Sequence, residues 1–267
     1  MARNADDAAL LLDAMLGDDQ GLTPISTTAP WKGVAAAVAQ IRDLKGMRIG
    51  YAADIAEVGI DPEIGAACLV AAKALADRGA SVEELEFSVA DGREAYRILR
   101  GVTMVTRFFD SLDEIEKFEP NLRGNIETGA KLTIGEVACA ERKRAALWHR
   151  WRGLFERIDL LLTPTTPVAP FPVEQNYPIV IAGRKMTSYI DWIAPTFLVT
   201  LASLPAASAP CGQTAAGLPI GLQIIGPRFA EPKILGAAKL VHEINPTVWP
   251  TMAKSIAPSR VDGRATT

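Results

Sequence analysis

The chain has 267 residues, 49% hydrophobic and 22% charged, a balance that supports a substantial core and excludes a disordered chain. Its 28 basic and 31 acidic residues leave a net charge of −3, which gives nucleic acid or an anionic membrane no electrostatic hold. Cys68, Cys139 and Cys211 are far apart without a C-x-x-C pair, and His149 and His242 stand alone, so the pattern implies reduced thiols in a cytoplasm and no metal site.

The first segment, MARNADDAALLL, lacks the basic, apolar, small-residue layout of a signal peptide. It reads as a helix capped by Asn4, with Asp6 and Asp7 at its positive end and Gly17 ending it. Ala5, Ala8, Ala9, Leu12, Met15 and Leu16 form one apolar face that needs a partner. No apolar run approaches the roughly 18 residues that span a bilayer, and a soluble cytoplasmic protein is the expectation. Residues 18–33 read as a loop and 34–44 as a short helix.

A βαβ pattern follows. Residues 47–52 read as a strand with Ile49 and Tyr51 on one side. Asp61 caps the next helix, Pro62 takes its first position, and Ile64, Ala67, Cys68, Ala71 and Leu75 make its buried stripe. Gly79 ends it, and residues 81–87 are a second strand, which implies parallel pairing through a crossover. Helices are expected over 91–109 and 133–157, the second opened by the capping-box run Thr133-Ile134-Gly135-Glu136, with 120–129 as the loop between them. The cluster Arg142, Lys143 and Arg144 falls inside that helix as a solvated face.

Residues 159–163, DLLLT, read as an apolar strand, and prolines 164, 167, 170, 172 and 178 punctuate a long non-helical excursion beyond it. Residues 189–201 read as helical, kinked or restarted at Pro195. Residues 204–226, LPAASAPCGQTAAGLPIGLQIIG, read as a buried β-hairpin turning at 212–217, and a helix follows over 232–244. With no repeat or low-complexity linker, residues 1–250 are expected to form a single α/β unit, and 251–267 a polar, mobile tail.

The hairpin wording, the run FERIDLLLTPTTPVAP at 155–170 and the opening MARNADDAALLLDAMLG together resemble the amidase signature family. Its members are serine hydrolases that cleave carboxamides with a Ser–Ser–Lys triad. The three segments stand in the family's order, and the resemblance implies an α/β/α sandwich with a mixed, mainly parallel sheet, here the C-terminal portion of that fold. It also implies hydrolysis of a carboxamide to carboxylate and ammonia without a metal or organic cofactor. Two positions depart from the family's Asn-Leu-Ala-Gly-Leu-Pro run: Thr200 stands for an amide side chain and Ser203 for a glycine.

The family's Gly-Ser-Ser-Gly-Gly type loop does not occur, and the chain holds no Ser-Ser or Gly-Gly dipeptide. No catalytic residue is therefore assigned, and the chain alone is expected to be inactive. Within it, Lys185 and Ser188 read as a surface lysine and a turn serine, Ser203 and Ser208 as serines beside the hairpin, and Cys211 as a buried structural thiol. His149 reads as a helix-face histidine, and His242 as a residue near a helix C-terminus.

The candidate substrate-binding residues are Tyr189, Asp191 and Trp192, an acid beside two aromatics ahead of Pro195, together with Thr200. A structural reading stands beside this one, with Trp192 in the core and Asp191 capping the next helix. The expected partners are a small-molecule amide if the enzyme is complete, and a second copy or an N-terminal half docked through exposed faces. No nucleic acid or membrane partner is expected. The alternative function is a non-catalytic α/β module that binds a partner through an open face.

Overall fold

A computed structural model describes residues 1–16, 29–31 and 33–246. Its elements run α1 (Ala5–Met15), α2 (Val34–Gln40), β1 (Arg48–Tyr51), α3 (Pro62–Ala74), β2 (Ser81–Glu84), α4 (Gly92–Arg107), α5 (Pro120–Ala130), α6 (Ile134–Phe155) and β3 (Leu160–Pro164). They continue as β4 (Val180–Ile181), β5 (Arg184–Lys185), α7 (Ala194–Leu201), β6 (Ala206–Gln213), β7 (Pro219–Ile225) and α8 (Glu231–Ile244).

Five strands form one sheet in the order β2-β1-β3-β7-β6. β1 pairs in parallel with β2 and β3, while β7 is antiparallel to both β3 and β6. Four of the five strands therefore run the same way, and the expected mixed, mainly parallel sheet is present. Alternation along β3 distributes the core. Leu160 and Leu162 join Ile49, Tyr51, Leu222 and Ile224 beneath α3 and α8, whereas Leu161 joins Ala95, Trp151, Leu154 and Leu198 from α4, α6 and α7 on the other side. Both faces are covered, which is why the DLLLT run shows no polar alternation.

Local chemistry sets the helix starts. The Asn4 side chain accepts from the Asp7 amide at 2.7 Å. Asp61 caps α3 by accepting from Glu63 N at 2.9 Å, and Gly79, at φ +90°, turns the chain toward β2. The Thr133–Glu136 capping box opens α6 as expected, and its hydrogen bonds hold the exposed Glu136 carboxyl below the usual range. Helix α2 has glycine at its cap, and a carboxylate from α1 does the capping: Asp13 accepts from Val34 N at 2.6 Å and Ala35 N at 2.8 Å.

Several expectations are corrected. Residues 120–129 are not a loop but most of α5. Pro120 occupies the first turn, and the Glu119 carboxylate accepts from the amides of Asn121 and Leu122 at 3.0 and 3.2 Å. This helix packs against α4 with Gly101 and Gly129 in main-chain contact: a Cβ at Gly129 is excluded by the backbone of Gly101, and one at Gly101 would stand 3.0 Å from Gly129 Cα. α2 stops at Gln40, and the first two strands are shorter than expected. Only the first half of the α1 face is buried, through Ala5 and Ala9, while Met15 and Leu16 remain exposed. The hairpin is half buried: β7 lies inside the sheet, and β6 is its exposed edge. The expected restart at Pro195 is present: residues 189–201 hold a 3-10 turn (Asp191–Ile193) followed by α7, with Pro195 in its first turn. The expected Gly17 helix end and the 251–267 tail lie outside the described residues.

Candidate functional site

Because β1 and β3 are parallel, their C-terminal ends open on the same side of the sheet, where ligands of α/β sheets commonly sit. The loops from those ends are tied together. Asp54 accepts from Val58 N at 3.2 Å and Gly59 N at 2.8 Å, and Asp61 N donates to Pro167 O at 2.8 Å. Arg184 of β5 reaches the Glu57 carbonyl at 2.7 Å. The proline-rich excursion thus has fixed attachments on either side of it.

On the crest of the sheet, Thr165 N donates to Gly221 O at 2.9 Å, and the Thr165 and Ser208 hydroxyls lie 2.6 Å apart. Gly221 makes room for them, since a Cβ there would stand 2.8 Å from Ser208 Oγ and 3.1 Å from Thr165 Oγ1. Beside them the buried Gln223 donates through Nε2 to the Pro195 carbonyl at 3.0 Å, fastening the start of α7 to β7. The sequence offers Ser208 only as a serine near a hairpin. Its partnership with Thr165 depends on strand register, which neither segment encodes alone.

The residues ahead of α7 are held individually. The Tyr189 hydroxyl receives hydrogen bonds from Asn125 Nδ2 at 2.6 Å and Arg100 Nη2 at 3.2 Å. Arg100 also reaches Tyr96, which stacks on Phe197 at 3.8 Å. The Arg100 Nε is buried without a partner. Asp191 accepts from Thr187 N and Oγ1, both at 2.8 Å, and from Ser188 N at 3.0 Å, so it caps the turn before it rather than α7. Trp192 is half-buried and stands edge-on to Phe171 of the proline-rich loop, with centroids 5.2 Å apart. Thr200 is exposed on α7, bonded back to Thr196 O. Tyr189, Asp191 and Trp192 share one short segment, and Thr200 lies at the far end of the helix that follows.

A cleft of about 690 Å³ lies between α4, α6 and the β4–β5 hairpin, bordered by Arg93, Arg97, Lys143, Arg184, Lys185 and Asp191. Its acids are engaged. Arg150 binds Asp91 through two hydrogen bonds, at 2.7 and 2.9 Å, and these hold the Asp91 carboxyl below its ordinary value. Glu94 pairs with Lys143, and Glu57 accepts from Ser88. Lys185 is exposed, and the Ser188 hydroxyl accepts from Ile190 N at 3.4 Å. His149 is exposed and edge-on to Trp148, and His242 lies in the last turn of α8. Ser203, where the resembling run has glycine, adopts φ +55°, a left-handed conformation that glycine takes without cost. Among the described residues no cluster of three or more His, Cys, Asp or Glu side chains could hold a metal ion, and no helix is long and apolar enough to cross a membrane.

Sheet, flanking helices and the PIGLQII strand are those of an amidase-type protein: the Amidase family model matches residues 1–235, and the chain belongs to that family. Among curated relatives it is similar to a glutamyl-tRNA(Gln) amidotransferase subunit from Roseiflexus sp. (strain RS-1). The identity is 30%, over 94% of this chain and 54% of that protein. The acylamidase of Rhodococcus erythropolis is 28% identical over 92% of this chain and 52% of the relative. Among solved structures, a bacterial aryl acylamidase of the amidase signature family superposes with a TM-score of 0.81 at 25% identity, over 92% of this chain and 52% of that one. A 6-aminohexanoate cyclic dimer hydrolase complexed with its substrate shares the fold, with a TM-score of 0.78 at 22% identity, over 92% of this chain and 54% of that one. The chain spans about half the length of the relatives it matches.

Proposed function

We propose that this chain is the C-terminal portion of an amidase, an enzyme that converts a carboxamide and water to a carboxylate and ammonia. In this reading the nucleophilic serine, the relay serine and the lysine base lie in polypeptide outside the chain. The crest and the segment ahead of α7 supply one wall of the substrate pocket. Tyr189, Asp191, Trp192 and Thr200 are the proposed substrate-facing residues, with Tyr189 held by two donors and Asp191 bordering the cleft of mixed charge between α4, α6 and the β4–β5 hairpin. No metal or organic cofactor takes part.

The observation that carries the reading is where the sheet stops. β6 is an uncharged edge strand with no outer neighbour among the described residues, and it flanks the Thr165–Ser208 hydroxyl pair. Beside it an apolar trough of about 320 Å³ is bordered by Leu11, Leu12 and Met15 of α1, Ala206 of β6, and Ile234 and Leu235 of α8. An open strand edge next to exposed apolar surface is suited to further main-chain pairing, and the rest of an amidase fold is the proposed occupant.

The lack, among the described residues, of a lysine or histidine hydrogen-bonded to the Thr165–Ser208 hydroxyl pair supports the absence of activity in the chain alone. The test is ammonia release from a panel of aliphatic and aromatic amides by the purified chain. No release above buffer is expected. Release that a serine-directed fluorophosphonate abolishes would overturn the assignment of the nucleophile to another segment.

A further inference from the structure

Cys68 of α3 and Cys211 of β6 are 143 positions apart in sequence, yet their Sγ atoms lie 3.8 Å apart in the core. Strand register brings them together. The β6–β7 pairing slips between Pro210 and Gly212, and the extra residue of that bulge is Cys211. Both thiols are buried on the α3 and α8 side of the sheet, and Cys68 Sγ also lies 3.7 Å from the Gly221 carbonyl. Cys139, by contrast, is exposed on α6.

We propose that Cys68 and Cys211 are a reactive dithiol, a site of oxidation that takes low-molecular-weight disulfides as its substrate class and closes to a bond between helix α3 and edge strand β6. A disulfide has an S–S length of about 2.0 Å, so the two sulfurs need to approach by about 1.8 Å. Cys211 is the outer partner, on a strand that pairs on one side among the described residues, and in the chain alone local opening of that edge admits a small reagent. Either sulfur can donate across this contact, and the contact together with burial raises the Cys68 thiol. Cys211, at the bulge of the edge strand, is the sulfur a reagent reaches first and is assigned as the attacking one.

The thiolate of Cys211 displaces one half of the small disulfide as a thiolate, which takes up a proton. Cys68 then loses its proton and attacks Cys211 in the mixed disulfide, releasing the second half as a thiol. Two electrons pass from the two protein sulfurs to the reagent, which leaves as two thiols.

The experiment uses the full chain with Cys139→Ser and bis(2-hydroxyethyl) disulfide as the oxidant. It is followed by unfolding, alkylation with iodoacetamide and intact mass measurement. Loss of about two mass units with no alkylation is expected. Peptide mapping of the unsubstituted oxidised chain, which needs no variant to fold, is expected to recover the peptides of Cys68 and Cys211 linked. In Cys68→Ser the reaction is expected to stop at the mixed disulfide on Cys211. Two alkylatable thiols in Cys139→Ser, after an exposure that converts Cys139 in the unsubstituted chain, would overturn the proposal. So would a link found only between molecules.

Discussion

The two edges of the sheet are built differently. β2, with the sequence SVEE, is four residues long, carries Glu83 and Glu84, and has Lys73 2.7 Å from Glu84. β6 is twice as long, reads AASAPCGQ and carries no charge. Charge and brevity are the means by which a strand ends a sheet, because an added strand would have to bury the carboxylates. β6 uses other means, and only over part of its length. Pro210 removes a donor and the bulge at Cys211 disrupts the ladder, which leaves residues 206–209 as a plain, small-residue edge beside the trough. One edge closes the sheet. The other is suited to continuing it.

Three pairs of substitutions put this contrast at risk. The largest effect concerns anchoring. Leu222→Ala, in the buried strand that carries β6, is expected to cost about 3 kcal/mol, whereas Val82→Ala, at the half-buried position of the otherwise exposed β2, costs about 1 kcal/mol or less. Urea denaturation of both variants checks this, and equal losses would remove the asymmetry. Next, Gly221→Ala drives a methyl into Ser208 Oγ and Thr165 Oγ1, at an expected cost of about 2 kcal/mol. Adding Ser208→Ala is expected to restore part of that loss, and a double-mutant cycle with no coupling would mean the crest is loosely held. The smallest effect concerns association. Self-association measured by sedimentation is expected to weaken about tenfold, some 1.4 kcal/mol, in Ala206→Lys and to stay unchanged in Glu83→Lys. A chain that is monomeric at every concentration would show that β6 does not pair with a second copy.

Much of the fold is legible because its signals are local. Asn4, Asp61 with Pro62, Gly79 and Thr133 with Glu136 mark boundaries through hydrogen bonds made within a few residues, and each is found in place. The hairpin could be read from its punctuation. α5 could not, because Asn121, Gly124, Asn125 and Gly129 are turn formers by propensity, and what keeps them helical is packing against α4 from elsewhere in the chain. The same limit governs the site. Tyr189, Asp191 and Trp192 stand out by type and by their place before Pro195, but the partners that fix the first and last of them come from other segments. Arg100 and Asn125 hold Tyr189, and Phe171 meets Trp192. The Cys68–Cys211 and Thr165–Ser208 pairs are products of register and have no signature along the sequence.

The contact of Gly101 with Gly129 has a further consequence. Arg100 is the residue before the first glycine, and Asn125 lies one helical turn before the second. With no side chain between the two backbones at this point, α4 and α5 approach closely enough that a Cβ on Gly129 would collide with the main chain of Gly101. That spacing lets a donor from each helix meet on a single phenol oxygen. Two residues with nothing to offer chemically act as the gauge of a caliper whose jaws are Arg100 and Asn125.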